Sequence, residues 1–203
     1  LKNVKVLGSE VFSGNRYAES ILIWAGPTTL TSGFIIPSKT FKGCNRLETL
    51  TLGESSGPRV ITHIKSSACE GCTKLSTVTV NQPATGGALT EIGQKAFKLC
   101  TSLTNIDLKV NKVSTEAFHQ CTSLTTLRLR QVTQLFRACI GCHALTAVTI
   151  TGGGDGVDIK DGAFRDLTGP GNQRTTYGLK NVKVLGSEVF SGNRYAKIIE
   201  VWV

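Results

Sequence analysis

Eighteen residues, LKNVKVLGSEVFSGNRYA, stand at Leu1–Ala18 and recur letter for letter at Leu179–Ala196. An identity of that length at an offset of 178 residues confines the fold to architectures that lay down the same local structure repeatedly along one axis. Beyond the identity the copies stay related while diverging, ESILIWA against KIIEVWV, with Trp24 answering Trp202. The expected organisation is a single array over residues 1–203, made of one 178-residue period and the start of the next at 179–203.

A shorter unit lies inside that period. Its anchor is an Ala-Phe pair, followed after the Phe by Cys at three, Leu at six, and apolar residues at nine and eleven. It is clearest in AFKLCTSLTNIDL (Ala96 to Leu108) and AFHQCTSLTTLRL (Ala117 to Leu129). The same frame fits TFKGCNRLETLTL from Thr40, ACEGCTKLSTVTV from Ala68 and ACIGCHALTAVTI from Ala138. Degenerate copies start at Val11 and Val189. In the copy at Ala163 an insertion after Leu167 delays the Leu to Leu179, where LKNVKV resumes the pattern. Successive anchors, from Phe12 through Phe41, Cys69, Phe97, Phe118, Cys139 and Phe164 to Phe190, are 29, 28, 28, 21, 21, 25 and 26 residues apart, so seven short repeats fill the period.

Residues at nine and eleven alternate with polar neighbours, so each unit predicts a short strand with two side chains inward and the intervening ones outward. One such strand cannot bury its own apolar face, but stacked turns can. The expected fold is an α/β, β-rich solenoid with one parallel sheet, with the Phe and Cys filling the opposite side of its core. The segments between strand and next anchor, GESSGPRV, NQPATGGALT and TGGGDGVD, have the composition of loops.

The AF-x-x-C-T-S-L-T-x-I-x-L unit resembles the BspA-like, or Treponema pallidum type, leucine-rich repeat, and the resemblance covers essentially the whole chain. It implies a right-handed leucine-rich-repeat solenoid at the cell surface or outside the cell, used for adhesion. The repeat lengths of 21 to 29 depart from the family's usual value of about 23.

The formal charge is +9, with 23 Lys+Arg against 14 Asp+Glu. The basic residues occur singly, as at Lys65, Lys74 and Arg165, and never interleave with aromatics, which argues against nucleic acid as partner. No run approaches the roughly 18 apolar residues of a membrane span. Two Cys-x-x-Cys pairs, Cys69/Cys72 and Cys139/Cys142, mimic a zinc site. The frame makes Cys69 and Cys139 substitutes for the anchor Phe, however, and places Cys44, Cys72, Cys100, Cys121 and Cys142 on one ladder. The pairs then fall three turns apart, roughly 15 Å, too far to share an ion. Buried thiols acting as small hydrophobes are expected, although ladder neighbours are close enough for a disulfide to be conceivable. No metal and no cofactor is expected.

Gly53-Glu54-Ser55-Ser56-Gly57 matches the hydrolase nucleophile elbow, but Pro58 follows where a helix should begin. The loop Gly152-Gly153-Gly154-Asp155-Gly156, with Asp158 and Asp161 behind it, fits neither a calcium loop nor a phosphate loop. No nucleophile, base and orienter recur in register, so no catalytic residue and no enzyme is expected. The candidate site is the outward face of the sheet. Lys109, Arg128 and Arg130 form a basic patch beside Asn105 and Asp107, Lys183 joins from a later turn, and Trp24 and Trp202 are exposed aromatics. Two functions fit: a non-enzymatic adhesion or interaction scaffold with a protein or glycan ligand on that face, and a structural protein whose copies stack end to end into an extracellular rod or filament.

Overall fold

The structure, a computed structural model, describes residues 6–23, 33–53, 60–82, 89–167, 175–193 and 196–202. Its strands, in chain order, are β1 (Ser20–Ile23), β2 (Phe34–Ile36), β3 (Thr49–Leu52), β4 (Ile61–Ile64), β5 (Thr77–Val80), β6 (Leu89–Ile92) and β7 (Asn105–Val113). They continue with β8 (Thr126–Val132), β9 (Gln134–Leu135), β10 (Ala147–Gly152), β11 (Val157–Ile159), β12 (Thr175–Lys180), β13 (Val182–Leu185) and β14 (Ala196–Val201). Every pairing is parallel.

The solenoid carries two parallel ladders, which corrects the expectation of one sheet. The strand that follows each Leu builds the first, as β1-β3-β5 and then β7-β8-β10-β12-β14. The second runs β2-β4-β6-β7-β9-β11-β13 along another side. The long β7 belongs to both: Asn105–Lys109 pair with β8, while its second half pairs with β6 and β9. The segments read as loops run into the second ladder's strands, for example Leu89–Ile92 and Val157–Ile159. Their apolar ends point inward, as the buried Leu89, Ile92, Val157 and Ile159 show.

The third side is built from turns, and among the described residues there is no helix, so the α/β expectation is corrected to all-β. The cause is local. Around Phe97 the bonds run Lys98 N–H to Lys95 C=O, Cys100 N–H to Phe97 C=O and Leu103 N–H to Cys100 C=O, each spanning three residues. Left-handed residues two before and two after the anchor, such as Lys95 (φ 59°) and Leu99 (φ 61°), reset the chain before an i to i+4 bond can form. Most copies place Gly at the second of these positions, for example Gly43 (φ 69°) and Gly141 (φ 74°).

Turns are joined on this side by a bond from each anchor N–H to the residue before the next anchor: Phe41 to Ala68, Phe97 to Ala117 and Phe118 to Ala138, at 2.7–2.8 Å. The ladder cysteines complete the join. Sγ of Cys44, Cys72, Cys100, Cys121 and Cys142 donates to the carbonyl of Phe12, Phe41, Cys69, Phe97 and Phe118 respectively, at 2.9–3.2 Å. A small side chain that is apolar in bulk and a weak donor at its tip fits both the core and the orphan lone pair. In the copy at Phe190 the ladder position is Asn193, whose Nδ2 makes the equivalent bond to Phe164 C=O at 2.7 Å.

All seven cysteines are free and buried. Burial raises the pKa of the Cys69, Cys100 and Cys121 thiols, which keeps them protonated, Cys100 and Cys121 as donors. The anchor rings stack in register, Phe12 on Phe41 and Phe97 on Phe118, with centroids 5.6 Å apart. Tyr177, wholly buried, packs against both Phe164 and Phe190.

Candidate interaction surface

The outward row of the first ladder is set by register. Asn105, Asp107 and Lys109 of β7 lie opposite Thr126, Arg128 and Arg130 of β8, and these lie opposite Ala147, Thr149 and Thr151 of β10. Inward neighbours Ile106, Leu108, Leu127, Leu129, Val148 and Ile150 are buried, so the alternation fixes which side chains reach solvent. Asn105, Asp107, Lys109, Arg128 and Arg130 therefore share the outward side of β7 and β8.

Its electrostatics differ from a plain basic patch. Asp107 is gripped by both arginines, Arg130 Nη2 at 2.8 Å from Oδ1 and Arg128 Nη1 at 3.6 Å from Oδ2. Two guanidinium groups thus flank one carboxylate. Each retains further donors that the single carboxylate does not use. Arg130 Nε is shielded from solvent and has no hydrogen-bond partner among the described residues. Lys109 is tied through its backbone, its N–H donating to Gln82 Oε1 at 2.8 Å and its carbonyl accepting from Gln82 Nε2. Those bonds stitch the end of β5 to β7 where the ladder of backbone pairs is interrupted.

Lys183 is not part of this face. The strand that continues the first ladder after Phe164 is β12, with Tyr177 opposite Val148 and Leu179 opposite Ile150, while β13, which carries Lys183, pairs with β11 in the second ladder. The insertion is absorbed by a strand whose inward residues are Tyr and Leu around Gly178, a pattern that conceals it from a search for leucines. Trp202 is 59% exposed just beyond β14, its N–H donating to Leu179 C=O at 2.8 Å. Trp24, and Glu54 to Gly57 of the serine motif, lie outside the described residues.

A second polar row, absent from the sequence expectations, lies on the second ladder. Register there sets His63, Glu91, Lys112, Gln134 and Asp158 side by side. Glu91 takes a hydrogen bond from Ser114 at 2.7 Å and pairs with Lys112 at 3.2 Å. Partial burial raises the Glu91 carboxyl, but these two partners outweigh it and leave the pKa below its ordinary value. The available signal is a polar pair between two apolar residues, I-T-H-I and L-T-E-I, four residues long in each case and without strict period-two alternation. The glycine loop is the corner between the ladders: Gly156 N–H bonds to Gly153 C=O at 2.7 Å, and Gly156 sits at φ 93° with Lys183 against it, where a side chain would be strained. Asp158 pairs with Lys160, and Asp161 accepts from Ser187 N–H, so both carboxylates have partners within the protein. Among the described residues no helix is long and apolar enough to cross a membrane.

Comparison with known proteins agrees with this architecture. The family model described as the BspA type leucine rich repeat region matches residues 1–86 and 62–197, in six copies. The crystal structure of a leucine rich repeat protein from T. pallidum is similar with a TM-score of 0.54 at 22% identity, over 81% of this chain and 76% of that one, a likeness of fold. No curated protein matches the chain significantly.

Proposed function

Because this chain belongs to the BspA type leucine rich repeat family, we propose that it is a non-enzymatic interaction scaffold, displayed outside the cell or on its surface, that adheres to a protein or glycan. The observation that carries this reading is the Asp107 clamp. It sets Arg128 and Arg130 on either side of one carboxylate on the outward face, so two guanidinium groups are presented together to an anionic ligand. Asn105, Lys109 and the threonines around them supply further polar contacts, and Trp202 supplies an exposed aromatic anchor. A flat parallel ladder suits an extended partner lying across several turns.

The test is binding of the labelled protein to an array of acidic glycans and extracellular domains, beside an Arg128→Ala/Arg130→Ala variant. Binding by the parent that falls at least several-fold in the variant, at unchanged melting temperature, supports the face. Undiminished binding by the variant removes this face from the proposal, and an array without any bound ligand removes the scaffold reading.

The letter-for-letter duplication favours a second reading, a structural rod of copies joined end to end. It requires a surface at each end that accepts another copy, and electron microscopy of the purified chain discriminates filaments from isolated short arcs.

A further inference from the structure

One joint between neighbouring turns departs from the rest. At every other described joint on the turn side, three N–H groups donate to the turn that follows: those two residues before the anchor, at the anchor, and two residues after it. Lys39, Phe41 and Gly43 bond in this way to Ser66, Ala68 and Glu70, and Lys95, Phe97 and Leu99 to Thr115, Ala117 and His119. Between the Cys139 turn and the Phe164 turn only the anchor bond of the three remains, from Cys139 N–H to Ala163 C=O, and it is 3.3 Å long against 2.7–2.9 Å at the other anchors. The thiol stitch is missing there too, because the residue three after Phe164 is Leu167, which has no side-chain donor. The local cause is Arg137. The residue two before the anchor is left-handed in each of the other copies, from Glu10 (φ 63°) to Glu188 (φ 52°), but Arg137 is not, and its N–H makes no bond to Asp161 C=O.

Where the turns part, a cleft of about 300 Å³ opens at the corner between the second ladder and the turn side, lined by Thr115, Phe136, Arg137, Lys160 and Asp161. That volume is at the lower end of the range of small-ligand pockets. Its lining breaks the repeat. Three residues before the anchor, four copies carry Ser and three carry Gln94, Thr115 and Asp161, whereas this copy carries Phe136. The ring is half-buried, with Lys112 Nζ over it at 5.9 Å. Arg137 is exposed and lies across Gly162, where an added Cβ would come within 3.5 Å of its Nε. Among the described residues its guanidinium has no ion pair and no hydrogen bond. Asp161 Oδ1 accepts from Ser187 N–H, which leaves Oδ2 without a partner, and Lys160 spends one donor on Asp158.

These groups specify a ligand by its chemistry. The unpartnered guanidinium suits a carboxylate, which it can take through two parallel N–H bonds. Asp161 disfavours a bare polyanion and suits hydroxyl donors, while Lys160 and Thr115 can donate to hydroxyl oxygens. The electron-rich face of Phe136 suits a flat patch of C–H groups. A carboxylate, several hydroxyls and a C–H face occur together on an acidic sugar.

We propose that this cleft binds a carboxylated sugar residue, with its carboxylate on Arg137, its hydroxyls between Lys160, Asp161 and Thr115, and its C–H face on Phe136. The cleft is separate from the outward face of β7 and β8, so it stands or falls independently of that face.

The test is saturation-transfer NMR on the full chain, titrated in parallel with an unsulfated glucuronate oligosaccharide and a sialic-acid oligosaccharide. A neutral oligosaccharide with glucose in place of glucuronate and a poly-glutamate peptide serve as controls. Saturation of the C–H groups of an acidic sugar is expected, with the neutral analogue bound about tenfold or more weakly. Whichever acidic oligosaccharide binds identifies the source of the carboxylate. Arg137→Ala should weaken binding by about tenfold or more, and so should Phe136→Ser, which keeps the fold because Ser is the commonest residue at that position. Arg128→Ala/Arg130→Ala should leave this binding unchanged. Loss in that double variant with none in Arg137→Ala moves the sugar to the β7 and β8 face and overturns the cleft. Equal binding of the neutral analogue, tighter binding of the peptide, undiminished binding by Phe136→Ser, or no saturation of any sugar also overturns it.

Discussion

The turn at Phe118 and the turn at Phe12 are built on one plan, yet they stand differently in the molecule. Phe118 is wholly buried, stacks on Phe97, and carries a carbonyl that accepts Cys142 Sγ from the next turn, while its own ladder residue, Cys121, donates to the turn before. Among the described residues Phe12 stacks on Phe41 alone and is only partly buried, and its ladder residue Asn15 turns its amide oxygen onto the N–H groups of Tyr17 and Ala18 within its own turn. The difference shows that a turn's stability resides mainly at its interfaces, as a one-dimensional array requires. A central turn has two such interfaces, and the first described turn has one.

The strongest challenge to this comparison is truncation of the two rings. Phe118→Ala should lower unfolding stability by about 3–5 kcal/mol and Phe12→Ala by about half as much, read from urea midpoints. Equal losses would break the comparison. Next in size is the thiol ladder. Cys121→Ala should cost about 1–2 kcal/mol, since it removes volume and a donor together. In the unmodified protein a thiol reagent should reach Cys44, at the joint with the Phe12 turn, before any other cysteine, and should reach Cys121 only on global unfolding. Reaction of all seven thiols at one rate in native buffer would contradict that order.

A smaller effect comes from charge at the central turn. Lys98 donates to Glu116 at 2.8 Å and holds its carboxyl below the ordinary range, outweighing partial burial, with His119 assisting. A depressed folded pKa contributes stability above the unfolded value of about 4.3, and that contribution is lost as pH falls through the folded value. Glu116→Gln should therefore melt slightly lower than the parent at pH 7, by an amount under about 1 kcal/mol, and the gap should close on acidification to about pH 3. A gap that widens on acidification would reverse the sign. The smallest change is a gain. Gln120 sits at φ 57°, where the following copy has Gly141 although the preceding one has Leu99, so Gln120→Gly should raise stability by about 0.5–1 kcal/mol in a thermal melt.

How much of the molecule is legible in its sequence varies with the length of the local signal. The anchors Phe97 and Phe118, the cysteine ladder and the strands at 105–109 and 126–130 share a frame of thirteen residues that five copies keep, so their inward and outward sides can be assigned. The second ladder cannot, because strands such as Gln134–Leu135 and Val157–Ile159 offer one alternation or less and sit among turn residues. Lys183 falls on the wrong ladder for a related reason: LKNVKV has the right spacing of apolar residues, but Tyr177 and Leu179 already occupy the hydrogen-bond register. The Asp107 clamp involves residues 21 and 23 apart in sequence, and only stacking of the turns brings them together.

Twenty-one residues separate Phe97 from Phe118 and twenty-nine separate Phe12 from Phe41, yet both pairs of rings stack at 5.6 Å. Backbone pairing sets the advance per revolution at about 4.8 Å whatever the number of residues consumed. The molecule is in that sense a screw of constant pitch and variable girth. An insertion at a corner widens one revolution and leaves the axial address of every other side chain unchanged. Unequal recombination between copies would then yield threads that still mate, and the corners are where such a lineage can acquire length without losing its gauge.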